Sequence, residues 1–311
     1  MLFKKELTTM KQLEWKQINN QSIYSFLPVQ ARPVFSNTTK SIISQNNIPI
    51  VRFPAFEDLS YIEHGFSTRM GGVSSGIYAS MNLTFHLEDS YENVSENFRR
   101  IAEALHTTPE KMVYSKQTHT TNVMKAERFH QGMGVTRERT YDNIDGLITN
   151  VPGLCLVTSY ADCVPLFFAD PVTKCIGASH SGWRGTVGNI AANTVSQLEK
   201  EYHSNPADMI VFIGPSICEN CYEVSDDVAE QFREHFLLSE WEHILKPSDK
   251  PDKYQLNLQL ANYYNLIHAG IKPEHIHISD ICTCCNPSLL FSHRASKGKR
   301  GILCGFIYIK E

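Results

Sequence analysis

Residues 154–187 read LCLVTSYADCVPLFFADPVTKCIGASHSGWRGTV. Three short apolar runs, Leu154–Thr158, Val164–Ala169 and Cys175–Ala178, are divided by turn signals at Ala161-Asp162 and Asp170-Pro171. Runs of that length with those boundaries predict strands. Val187, Ile190, Ala191, Val195 and Leu198 then recur at helical spacing, so the segment predicts strand, strand, strand, helix. Cys163 precedes the second run and His180 ends the third. Two strands of hairpin length separate them, so both can reach the same sheet edge. Gly182 and Gly185 follow His180 at the strand-to-helix junction, where backbone can approach a ligand.

Outward from this segment the pattern stays mixed. Val94, Phe98, Ile101, Ala102 and Leu105 mark an upstream amphipathic helix, with Asp89 and Glu92 spaced like a capping box. Downstream come a strand over Met209–Ile213 and the turn Gly214-Pro215-Ser216. A helix through Val228, Phe232 and Phe236 follows, with Ser225 as its N-cap. Asn257 caps a further helix through Leu260, Tyr264 and Ile267, which Gly270 stops. His275–Ser279 and Gly301–Ile309 read as closing strands. The expected fold is α/β (α+β): one large domain over 46–311, with layered mixed β-sheets flanked by helices. Residues 1–45 are polar, rich in Asn, Gln, Ser and Thr, and read as a loosely held extension.

Of the chain's 311 residues, 42% are hydrophobic and 20% charged, the balance of a soluble globular protein. A net charge of -4 argues against a broad face for polyanions, which sets nucleic acid aside as a partner. No apolar run approaches the ~20 residues of a membrane span. Nine cysteines, odd in number and scattered, do not read as a secreted disulfide framework. A cytoplasmic protein with reduced thiols is expected.

His119, in KQTHTTNV (116–123), completes a candidate set with Cys163 and His180. Two imidazoles and a thiolate suit zinc, and three protein ligands with an open fourth position form the catalytic pattern. Copper would compete for the same ligands. The same residues fit a metal-free cysteine hydrolase, with Cys163 as nucleophile, His180 or His119 as base, and amides near Gly182 as oxyanion donors. Arg69, within the glycine-rich stretch Gly65–Ser74, and Arg184, at the start of a helix, are candidates to hold a phosphate or carboxylate. Asp162 and Gln117 could orient a proton or a ribose hydroxyl.

Cys218-x-x-Cys221 and Cys282-x-Cys284-Cys285 contain enough thiols for a second metal, but the second cluster has the wrong internal spacing for a ribbon or finger, and about sixty residues separate the two. Packed, reduced thiols are expected there. Of 13 histidines only His275-Ile276-His277 forms a His-x-His pair, which excludes a four-copper centre.

Six stretches, FSTRMGGVSSGIYASMNL (66–83), KQTHTTNV, ADCVPLFFADP (161–171), ASHSGWRGTVGNI (178–190), IGPSICENCYEV (213–224) and CTCCNPSLLFSHRASKGKRG (282–301), together resemble the laccase-domain or multicopper polyphenol oxidase-like family, whose members are also described as purine nucleoside phosphorylases. The resemblance covers residues 48–309. It implies a cysteine-hydrolase-toxin-like fold and a metal triad of His119, Cys163 and His180, with zinc, or copper in the same site. The implied activity is phosphorolysis of adenosine, inosine and S-methyl-5′-thioadenosine, with phosphate as co-substrate and adenosine deamination beside it. A bacterial member is linked to editing of a peptidoglycan precursor, which makes a Cys163-dependent amidase the alternative; a single-copper polyphenol oxidase ranks below both. This sequence departs from the family in its extension, in Ser181 beside His180, and in the crowded Cys282–Cys285.

Overall fold

The strand Val164–Asp170 sends its side chains alternately into two cores. Val164, Leu166 and Phe168 enter one apolar cluster, while Phe167 and Ala169 enter another, as the two-residue pleat requires. A strand covered on both faces reads as an unbroken apolar run, the pattern seen in the sequence. The computed structural model describes residues 14–36, 41–43 and 48–311.

Val164–Asp170 pairs antiparallel with Cys175–Ser181 in a hairpin that sets His180 opposite Pro165 and Ser181 opposite Val164. The hairpin lies inside a seven-stranded mixed sheet, in the order Val34–Ser36, Ile276–Ser279, Ile210–Ile213, Val164–Asp170, Cys175–Ser181, Gly146–Thr149 and Val123–Lys125. The first apolar run of the deciding stretch belongs elsewhere. Cys155–Tyr160 lies between Leu303–Ile309 and Met112–Tyr114 in a six-stranded sheet, which continues through Ile62–Ser67 and Pro49–Val51 to Ser41–Ile43.

The two sheets stack face to face. Leu156 and Ile307 of one meet Phe167, Ile176 and Phe212 of the other in a shared core. Beyond the six-stranded sheet, Val94, Phe98 and Ile101 of the helix Tyr91–Ala104 cover Val157 and Phe306. Beyond the seven-stranded sheet, Val195 and Leu198 of Ile190–Tyr202 and Leu260 and Ala261 of Leu258–His268 cover Leu166, Phe168 and Val211. Each large apolar side chain buried in these layers contributes roughly 1.5–3 kcal/mol. A small three-stranded sheet, Glu223–Ser225, Lys253–Leu256 and Leu245–Pro247, completes the α/β domain.

Several local expectations shift in register. The helix Tyr91–Ala104 is capped by Ser90, whose hydroxyl accepts from Asn93 N at 3.1 Å, and not by Asp89. The Asp89 carboxylate instead accepts from Ser74 Oγ and Asn82 Nδ2. Ser225 does precede a helix, Asp226–His235, but its hydroxyl donates to the Asp227 carboxylate and caps no amide. Asn257 caps Leu258–His268 through Leu260 N at 2.9 Å, and Gly270, at φ +89°, ends it.

The described part of the N-terminal extension is bound to the body. Val34–Ser36 adds a parallel edge strand to Ile276–Ser279, Tyr24 is fully buried, and Asn286 exchanges hydrogen bonds with the Lys16 backbone in both directions. Polar composition concealed this, because the docking uses a few apolar residues and backbone hydrogen bonds. Residues 1–13, 37–40 and 44–47 lie outside the described residues. No described helix is long and apolar enough to cross a membrane.

Candidate active site

Asp145, which sequence reasoning missed, organises the site. It is fully buried just before the strand Gly146–Thr149. One oxygen, Oδ1, lies 2.8 Å from His180 Nδ1 and accepts from His119 N at 3.1 Å. The other accepts from Thr118 N at 3.0 Å, and from Thr120 N and Oγ1 at 2.9 Å each. The Asp145 carbonyl also accepts from His180 N at 2.8 Å. One carboxylate therefore shapes the loop that carries His119 and fixes the His180 ring. Burial favours its neutral form, but His180 and the Thr118 and Thr120 amides outweigh that and hold it below the usual carboxylate range. An Asp before a short apolar run gave no sequence signal of this role.

The structure brings His119, Cys163 and His180 together: their ligand atoms all lie within 4.8 Å of one another. His180 is buried at the end of its strand, Cys163 half-buried at the start of the paired strand, and His119 exposed, so the cluster is open on one side. His119 and Asp162 both adopt left-handed backbone, at φ +64° and +91°, a conformation that non-glycine residues hold only where their surroundings enforce it. Gly182 passes so close that a β-carbon there would lie 3.0 Å from His119 Cδ2 and 3.1 Å from Cys163 Sγ. The expected glycine approach is thus an approach to the candidate ligands His119 and Cys163.

With Nδ1 held on Asp145, His180 directs Nε2 at the cluster, where it would serve a metal once that nitrogen gives up its proton. This carboxylate–histidine pairing is the usual support of a metal-ligating imidazole. Burial opposes ionisation of Cys163, but the His180 and His119 imidazoles prevail and bring its thiol down to about 6. Burial likewise disfavours the charged form of His180, yet Cys163 and Asp145 raise it to about 9. Two imidazoles, an easily ionised thiol and a supporting carboxylate fit a zinc-type ion and could hold one.

The other candidate residues fall into two groups. Asp162 is buried and committed: Oδ1 accepts from Thr283 Oγ1 at 2.6 Å, Oδ2 from Arg294 N at 2.7 Å, and its carbonyl from Ile217 N at 2.9 Å. Gln117 braces the His119 loop against the neighbouring sheet, donating to Ser159 O and accepting from Ser159 N and Ser115 Oγ. Arg69 donates to the carbonyls of Ala79 and Pro287 and stacks on Phe291 at 4.7 Å, so its guanidinium clamps a loop. Ser181 turns away from His180 and donates to Asn262 Oδ1 at 2.7 Å.

Positive charge reaches the site from elsewhere. Arg184 is exposed and stacks on Trp183 at 4.2 Å, and Arg294 lies over Tyr222 at 5.2 Å. Burial pushes the Tyr222 hydroxyl up, and Cys163, Arg294, Asp162 and Arg184 all lie within its electrostatic reach. Arg300 lies within the electrostatic reach of Asp162 and Cys163, and its buried Nε has no hydrogen-bond partner among the described residues. Arg294 and Arg300 lie in the quoted tail 282–301, but arginines in a charged loop gave no reason to single them out.

A stacked pair of mixed sheets with a His/Cys/His cluster at the end of a hairpin defines a class. Residues 63–310 match the model of the multi-copper polyphenol oxidoreductase laccase family, and the chain belongs to that family. It is 37% identical over 248 residues to purine nucleoside phosphorylase YlmD of Bacillus subtilis, covering 79% of this chain and 88% of that one. Among solved structures it resembles the hypothetical protein YfiH of Bacillus licheniformis, with a TM-score of 0.80, 35% identity and coverage of 86% and 97% of the two chains. YlmD from Geobacillus stearothermophilus gives a TM-score of 0.79 at 33% identity, covering 90% of this chain and all of that one.

Proposed function

We propose that the chain is a zinc-dependent purine nucleoside enzyme that phosphorolyses adenosine, inosine and S-methyl-5′-thioadenosine to free base and (methylthio)ribose 1-phosphate, and also deaminates adenosine. The convergence of His119, Cys163 and His180 on one open position, with Asp145 behind them, is the observation that carries the metal-dependent part. The Bacillus subtilis relative, named a purine nucleoside phosphorylase, supports the substrate class. Nine unpaired cysteines support a cytoplasmic setting.

In phosphorolysis a phosphate oxygen bonds to ribose C1′ as the bond from C1′ to the base nitrogen breaks, and the base leaves with the electron pair and gains a proton. Zinc, when bound by the triad, supplies Lewis acidity. Asp145 accepts from His180 Nδ1 and so aims Nε2 at the position the metal would take. Arg184, Arg294 and Arg300 offer the charge to hold phosphate, Arg300 through an Nε that has no partner among the described residues. Asp162, Gln117 and Arg69 act as positioning residues, since their polar groups are spent on the loops that frame the site. The test is to assay metal-replete protein on adenosine with and without phosphate. Phosphate-dependent release of adenine supports the reading, and full metal occupancy with no nucleoside turnover refutes it.

One observation favours a second reading. The lowered Cys163 thiol, His180 beside it and Asp145 behind form a Cys-His-Asp line suited to a metal-free amidase. Iodoacetamide separates the two: rapid alkylation of Cys163 in the protein as isolated favours the amidase, and protection by bound metal favours the nucleoside enzyme.

A further inference from the structure

The cysteines expected to be merely packed come together. Cys218, Cys221, Cys282 and Cys285 place their sulfurs within 4.8 Å of one another, with 3.5 Å between Cys221 and Cys285 and 3.9 Å between Cys218 and Cys285. A disulfide would require about 2.05 Å, so these sulfurs are not bonded. Tetrahedral zinc with Zn–S near 2.3 Å sets its sulfurs roughly 3.8 Å apart. The spacing is also familiar once Cys284 is set aside as a bystander: Cys218-x-x-Cys221 and Cys282-x-x-Cys285 are two matching pairs. Reading Cys284 as part of the motif hid the second pair, and sixty intervening residues hid the juxtaposition.

Two backbone amides converge on one of the sulfurs. Cys218 N and Cys285 N both point at Cys282 Sγ, at 3.2 and 3.4 Å, and amides so aimed favour the ionised sulfur. Cys221 N donates to Cys218 O at 3.0 Å, closing the first pair into a tight turn. The two loops are laced together by Thr283 N donating to Ser216 O at 3.1 Å and Ser216 N to Ile281 O at 3.3 Å. We propose that Cys218, Cys221, Cys282 and Cys285 hold a second metal, a structural zinc distinct from the His119/Cys163/His180 site. Four protein ligands leave no open position, the mark of a structural centre.

The position gives this metal a task. Ile217, next to Cys218, donates its N–H to Asp162 O, and Thr283, next to Cys282, donates its hydroxyl to Asp162 Oδ1. Both thiol-bearing loops thus grip the residue that precedes Cys163. Zinc there pins the two loops to each other and holds Asp162 in its left-handed conformation.

The test uses the full-length, untagged His119→Ala/Cys163→Ala variant, which lacks two triad ligands and so reports on the second site whatever the triad's reaction proves to be. Purified with zinc, it should retain one zinc per chain. Loaded with Co2+ it should show thiolate-to-cobalt charge-transfer bands and the intense visible bands of a tetrahedral site. Adding Cys221→Ser and Cys285→Ser should abolish both signals, and adding Cys284→Ser should keep them. If the quadruple variant does not fold, the cobalt spectrum of the double variant decides alone. No zinc and no cobalt uptake by the double variant, a cobalt spectrum without thiolate bands, or a Cys221–Cys285 disulfide in the purified protein would each overturn the proposal.

Discussion

Replacing Asp145 by Asn keeps the side chain's size and one acceptor oxygen but removes the charge that faces His180 Nδ1 and the three loop amides. Lost support of this kind typically weakens a metal site by about 10–100-fold. Asp145→Asn should therefore bind zinc 10- to 100-fold more weakly in a chelator competition, and an unchanged affinity would remove Asp145 from the account. Cys163 carries a second prediction. In metal-stripped protein its folded-state value, about 6, lies below the ordinary thiol value of 9.0, so alkylation should inflect near pH 6. The His180 value rises from 6.5 to about 9. The depressed thiol loses its stabilising contribution as pH falls through about 6, and the raised imidazole loses its own as pH rises through about 9. The thiolate–imidazolium pair thus holds between those limits, and an alkylation profile centred near 9 would show that it does not form. The three residues that cluster were legible in the sequence as candidates because each stands at the end of an apolar run or beside small residues. Asp145 was not, because its four partners come from segments 25 to 35 residues away.

At the scale of elements, the strand-to-helix turn at Gly182 brings backbone against His119 and Cys163. Its φ of -72° suits any residue, so Gly182→Ala adds no backbone strain and acts through its new methyl, 3.0–3.1 Å from His119 and Cys163. It should cut zinc occupancy at least about tenfold, by the same loss of ligand geometry, with little change in melting temperature; full occupancy by metal analysis would contradict this. Phe167 tests the sheet-to-sheet core. It is fully buried between the sheets, and Phe167→Ala should cost about 3–5 kcal/mol in urea unfolding. A loss under about 1 kcal/mol would mean that the facing sheets close over the gap. Elements with local signals were legible: the Asn257 cap, the Gly270 stop and the two strands of the hairpin. Strand partners were not, because pairing is non-local. Nothing in Leu154–Thr158 itself says that it joins the other sheet, beside Leu303–Ile309.

For the whole molecule, two stacked sheets with helices on both outer faces form a rigid frame, and the His/Cys/His cluster sits where the hairpin of one sheet meets loops from its neighbours. The described extension adds an edge strand and a buried tyrosine, so composition alone misjudged how much of the chain shares the core. On the function proposed above, the triad makes this frame a metal-dependent nucleoside phosphorylase. The most direct test measures adenine released from adenosine with and without phosphate, for wild type and Cys163→Ala, with metal content determined on the same samples and folding checked by circular dichroism. Phosphate-dependent adenine is expected from the wild type. Folded Cys163→Ala should have lost the triad metal and at least a hundredfold of the rate, about 2.7 kcal/mol of transition-state stabilisation. Folded Cys163→Ala that keeps wild-type rate and metal would contradict that function.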